Sequence, residues 1–166
     1  MSLGQRVSSD HQLARLLQIG VVLEEVVEAR AHSHLESLSP DERAELDDSI
    51  EDLLEHAVEE SEDHRKRLEA LVDEMDAETV SYDEIEVLVR EHYAQNQPED
   101  FDGLLYDQLC NEETAYKFYD DLIEAIEASD ATYSIDRERV LSTLREIRSE
   151  EEAGVEDVTR VMEERE

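Results

Sequence analysis

Apolar residues return every three or four positions along almost the whole chain, the spacing that lines one face of an α-helix, and no stretch of useful length alternates as a strand would. Start and stop signals divide this rhythm into five predicted helices, at about 9–38, 40–77, 82–94, 99–129 and 135–164. Ser9 with Gln12, Ser39 with Glu42 and Ser81 with Glu84 have the spacing of a capping box, and Pro40 falls at a first helical position, where a missing N–H costs nothing. Four glycines and two prolines leave little for hairpin turns, so the chain is expected to be all-α. The link at Pro40 is short enough to make the first two long helices an antiparallel hairpin, and a similarly brief link in "SDATYS" joins the last two. Between the hairpins lies a longer stretch holding the short helix "SYDEIEVLVREHYA". That is enough chain for a long crossover in a four-helix bundle, where an up-down-up-down bundle would need only a short loop.

Laying each long helix on its apolar stripe brings out its exceptions. The first carries Leu17, Val21, Ala31, Leu35 and Leu38 on one face with Glu28. The second carries Ile50, Leu53, Ala57, Leu68, Leu71 and Met75, interrupted by Glu60 and His64. The third long helix sets Glu112 among Leu105, Leu109, Ala115, Tyr119 and Ile126, and the fourth sets Glu151 among Leu144, Ile147, Val158 and Met162. In a chain with 48 acidic residues, one carboxylate on a stripe is an edge residue that reaches solvent. A shared local pattern argues for more: Glu28-x-x-Ala31-x-x-His34 in the first helix and Glu112-x-x-Ala115-x-x-Phe118-Tyr119 in the third. Carboxylates converging inside a bundle repel one another unless they are protonated or bound to cations. Oxygen ligands with an imidazole suit iron or manganese, and two such ions about 3.5–4 Å apart can be bridged by acids.

These two Glu-x-x-Ala segments, the "EESEDHRKRLEAL" stretch and the crossover resemble the rubrerythrin-like branch of the ferritin-like superfamily over nearly the whole chain. The resemblance implies a ferritin-like four-helix bundle as a single domain over 1–166, with a di-iron or di-manganese carboxylate site that reacts with oxygen or peroxide. It also implies that each hairpin supplies a lone Glu from its first helix and a Glu-x-x-His from its second. On that pattern the metal ligands are Glu28, Glu60, His64, Glu112 and Glu151. Two positions depart from it: Ser61 stands three before His64, which leaves Glu60 as the nearest acid, and Gly154 stands where the second histidine belongs. His32, one turn after Glu28, is a further candidate ligand. No rubredoxin-like module is present, since its cysteines are missing. The other functional class consistent with these departures is a non-catalytic bundle with a decayed site, acting as a structural or interaction protein.

Charge narrows the partners. The net charge of −33 is spread evenly along the chain, and of 15 basic residues only Lys66 and Lys117 are lysines. An acid-rich, lysine-poor chain fits a cytoplasm of molar salt, where screening over roughly 3 Å suppresses self-repulsion. The same charge argues against binding nucleic acid, and a mimic of nucleic acid would need its acids gathered on one face. No apolar run is long enough to cross a membrane and the N-terminus lacks the order of a signal peptide, so a cytoplasmic protein is expected. A single cysteine, Cys110, excludes disulfides within the chain and reads as a small buried apolar residue. The expected partners are metal ions and further copies of the chain, as a homo-oligomeric dimer. If the charge is a salt adaptation, the melting temperature falls as potassium chloride is diluted from molar to about 0.1 M, where the Debye length grows to about 10 Å. A melting temperature indifferent to salt over that range contradicts the adaptation and reopens the mimic.

Overall fold

The computed structural model describes residues 7–45, 48–77 and 101–164, together with positions 79, 83 and 87. The chain forms α1 (Asp10–Glu36), α2 (Pro40–Glu45), α3 (Asp48–Glu74), α4 (Phe101–Glu127) and α5 (Arg137–Glu164). No strand occurs among the described residues, and the four long helices make the expected all-α four-helix bundle. The stretch expected as one helix over 40–77 is seen as α2 and α3, with positions 46 and 47 outside the described residues. The expected short helix at 82–94, with its Ser81 and Glu84 cap, falls largely outside them as well.

The helix ends follow from side chains that satisfy backbone groups the helix cannot pair. Ser9 caps α1, its Oγ accepting from Gln12 N at 3.2 Å. The return bond of the box is displaced by one residue, because Gln12 Oε1 accepts from Ser8 N at 2.8 Å. At the turn between α4 and α5, the Arg137 guanidinium donates to the carbonyls of Ser129, at 2.6 Å, and of Ala131. It also lies over the Tyr133 ring, 5.4 Å from the centroid, so one cation closes the end of α4 and holds the turn.

Contacts between helix ends fix their directions. Val7 N donates to Ala125 O at 3.3 Å, Ser134 N to Asp10 Oδ1 at 2.8 Å, and Asp76 N to Ser134 Oγ at 2.9 Å. The start of α1, the ends of α3 and α4 and the start of α5 therefore share one pole. In cross-section α1 packs on α3 and α4, and α5 packs on the same two helices. Helices α3 and α4 occupy a diagonal and run parallel, since both finish at that pole. A helix of 27 residues is about 40 Å long, so the chain between Glu74 and Phe101 must return the length of the bundle. The end of α3 and the start of α4 thus lie at opposite poles, and the expected crossover between them falls almost wholly outside the described residues.

The apolar core is not continuous along the bundle. One cluster fills the first pole with Leu13, Leu17, Leu68, Leu71, Tyr119, Leu122, Ile126, Val140 and Leu144, among others. A smaller cluster of Leu38, Ile50, Leu54, Leu104, Leu105 and Val161 fills the other. Between them each long helix turns a polar group inward, among them Glu24, Ser61, His64, Gln108, Asn111, Glu112 and Glu151, all buried. This mid-bundle polar layer is where chemistry can occur.

Candidate metal centre

The layer draws on all four long helices near their midpoints. Glu24 of α1 and His64 of α3 are fully buried, and Glu112 of α4 and Glu151 of α5 nearly so. Glu60 of α3 stands at the edge, its side chain 15% exposed. His64 occupies the centre. Its Nδ1 lies 3.3 Å from Glu24 Oε1 and 3.0 Å from Glu151 Oε1, while its Nε2 lies 2.7 Å from Glu150 Oε2. Tyr119, a core residue by its stripe position, donates its hydroxyl to Glu24 Oε1 at 2.5 Å. Gln108, one turn before Glu112, donates Nε2 to Glu112 Oε1 at 3.0 Å.

Two groups of donor atoms result. Those of Glu24, His64 and Glu151 lie within 4.8 Å of one another, as do those of Glu60, Glu112 and Glu151, and Glu151 belongs to both. Three of the carboxylates are shifted toward their protonated forms. Burial, with help from Glu112, pushes Glu60 up to about 7. Burial also raises Glu112, and it raises Glu151 well above the ordinary carboxylate range, with the negative charge of Glu24 adding to the effect. The Glu112 and Glu151 carboxylates lie close together, and their interaction raises Glu151 further while offsetting part of the rise of Glu112. For His64 burial acts to lower the pKa, but the bonds to Glu24 and Glu150 prevail and hold it above its ordinary value.

Glu60, His64, Glu112 and Glu151 are thus brought together as the spacing of their stripes suggests. Glu28 is not among them. Its side chain is 26% exposed and its Oε2 lies 3.7 Å from Arg65 Nε, while Glu24, one turn earlier, takes the inward place. The stripe Leu17, Val21, Ala31 passes through position 24 as well as 28, and the register of α1 against the other three helices selects the acid level with His64. His32 is exposed and pairs with Glu36 at 3.1 Å, away from the layer. His34 is buried at the second pole, with Nε2 2.7 Å from Asp107 Oδ2 beside the Arg30 guanidinium. The "HRKR" run balances local acids: Arg67 bonds Asp63 and Glu150, both at 2.5 Å, and Lys66 pairs with Glu62 at 2.9 Å.

Three features fit the layer to cations. Oxygen donors with one imidazole are a suitable set for iron or manganese. Glu24 Oε2, on a fully buried carboxylate facing the cluster, has no hydrogen-bond partner, and a buried charged oxygen without one is costly. Gly154 leaves room that the Glu112 carboxylate occupies: a Cβ there would stand 2.5 Å from Glu112 Oε2, so a larger residue would require the carboxylate to shift. Comparison with protein-family models, curated proteins and solved structures finds no match to the chain.

The raised pKa values fix a direction of pH dependence. An acid whose pKa is higher in the folded than in the unfolded state holds extra protons when folded, so folding is opposed as pH rises from the unfolded value toward the folded one. For Glu60 that window runs from 4.5 to about 7, and Glu112 and Glu151 act in the same sense. The raised His64 adds stability that is lost as pH rises through its folded pKa. Metal-free protein in molar salt is therefore expected to need less urea to unfold at pH 8 than at pH 5.5, and Glu60→Gln to flatten that slope. A slope of the opposite sign would mean that the layer holds no excess protons.

Proposed function

We propose that the protein is a ferritin-like metal-binding bundle that holds two divalent cations, iron or manganese, in the mid-bundle layer. The ligands are Glu24, His64 and Glu151 on one side and Glu60, Glu112 and Glu151 on the other, with Glu151 shared. The observation that carries this reading is the convergence of two donor groups on one buried carboxylate, beside a buried Glu24 oxygen that no hydrogen bond satisfies. The parallel course of α3 and α4 supports the bundle topology that the resemblance implies. Bound iron would supply the electrons for reducing oxygen or peroxide, or would itself be the species oxidised. The chain's own part is to present the donors from rigid helices and to keep the layer dry between two apolar clusters. Tyr119 fixes Glu24 through Oε1 and leaves Oε2 turned to a cation.

The second reading is a non-catalytic bundle, and one observation favours it. Much of the layer is satisfied without a cation, through the bond from Tyr119 to Glu24 and the bond from Gln108 to Glu112. Melting temperatures with ferrous or manganous ion and with chelator separate the two readings. Metal at a hundredfold above its dissociation constant stabilises the folded state by about 2.7 kcal/mol, a gain expected for the wild type with either ion and, with ferrous ion, largely lost in His64→Ala. A wild type indifferent to both metals, with His64→Ala destabilised by about 1–3 kcal/mol regardless of chelator, would establish the structural reading instead.

A further inference from the structure

The two halves of the layer are chemically unlike, and the difference is built into the packing. On one side, Glu24, His64 and Glu151 offer carboxylate oxygens and an imidazole nitrogen. His64 is held with Nδ1 toward this group because Nε2 is bound to Glu150 on the outer face. On the other side, Glu60, Glu112 and Glu151 offer oxygen alone. No imidazole reaches this side from position 154 of α5, which is glycine, and the Glu112 carboxylate occupies the space above it, with Oε2 2.5 Å and Cδ 2.8 Å from where a Cβ would stand. The oxygen-rich side is extended by Gln108, which is fully buried, tethers Glu112 through Nε2 and leaves its Oε1 without a partner.

Imidazole favours the later and softer divalent ions, while carboxylate, carbonyl and water suit manganese and magnesium. We infer that the centre is heterodinuclear, with a transition ion such as ferrous or cobaltous in the Glu24, His64 and Glu151 half. A hard, oxygen-seeking ion, manganous or magnesium, occupies the Glu60, Glu112 and Glu151 half. The inference rests on the metal-binding reading above and deepens it by assigning a class of cation to each half. Glu151 joins the halves, so the occupancy of one fixes the carboxylate that the other uses.

Cobaltous and manganous ions are the probes. Full-length protein in molar salt receives one equivalent of cobaltous ion with about a tenfold excess of manganous ion, is freed of unbound metal, and its metals are counted. One cobalt and one manganese per chain are expected, with a visible cobalt spectrum that changes in His64→Ala. In that variant the preference for cobalt over manganese should fall by about tenfold or more while manganese in the oxygen half stays. Glu60→Gln, at the exposed edge of the layer, should shed manganese and keep cobalt, and it carries the test alone if His64→Ala fails to fold. Loss of both metals together in Glu60→Gln, or loss of cobalt in preference to manganese, overturns the inference while leaving the metal-binding reading in place. A wild type that retains neither ion overturns that reading and this inference with it.

Discussion

Burying several carboxylates at one level of a helical bundle is the constraint on which the rest of the structure depends. An isolated ionised carboxylate in an apolar interior is so costly that the group takes a proton, a hydrogen-bond donor or a cation instead. All three responses bear on this protein. Glu151 is pushed toward its protonated form by burial, and Glu24 takes the Tyr119 hydroxyl and the His64 ring, leaving one oxygen over. The proposed cations would replace the protons and occupy the remaining oxygen.

The surrounding fold serves that layer. The core is divided rather than continuous, so apolar packing seals the acids from both poles. Helix α1 is buried over most of its circumference, with Val21, Val22, Leu23, Val26 and Val27 around Glu24, which keeps that carboxylate away from water. Gly20 permits the close approach of α1 to its neighbours, because a Cβ there would lie 3.1 Å from Leu68 Cδ1 and 3.2 Å from Phe118 Cε1. Gly154 plays a different part, giving up a side chain so that a neighbouring helix can place its acid. Glycine in mid-helix costs about 1 kcal/mol relative to alanine, and here the layer is what that cost secures.

Much of this was legible in the sequence, and the remainder failed for identifiable physical reasons. Helical period and short links fixed the helix class and the hairpins, because a stripe spaced by three and four has one geometrical solution. His64, Glu112 and Glu151 were readable because each interrupts an otherwise apolar stripe. Glu28 was chosen over Glu24 since both lie on one stripe, and only the axial register of α1 against α3 distinguishes them. Periodicity carries no information about register. The resemblance drew attention to the Glu28 motif, whereas the valines and leucine on either side of the Glu24-Glu25 pair are the local signal that would have favoured it. Gly154 looked like the loss of a ligand, and it becomes intelligible once the Glu112 carboxylate is seen in the space it leaves.

The central claim is that the layer exchanges protons for cations, and proton counting during metal binding tests it most directly. At pH 6 in weakly buffered molar salt, Glu60, Glu112, Glu151 and His64 all have pKa values raised from the ordinary range by this environment. Saturating manganous ion should therefore release about two protons per chain at that pH, and fewer as the pH is raised. Manganese that binds without releasing protons at pH 6 would contradict the account, because the ion would then be held somewhere other than in this carboxylate layer.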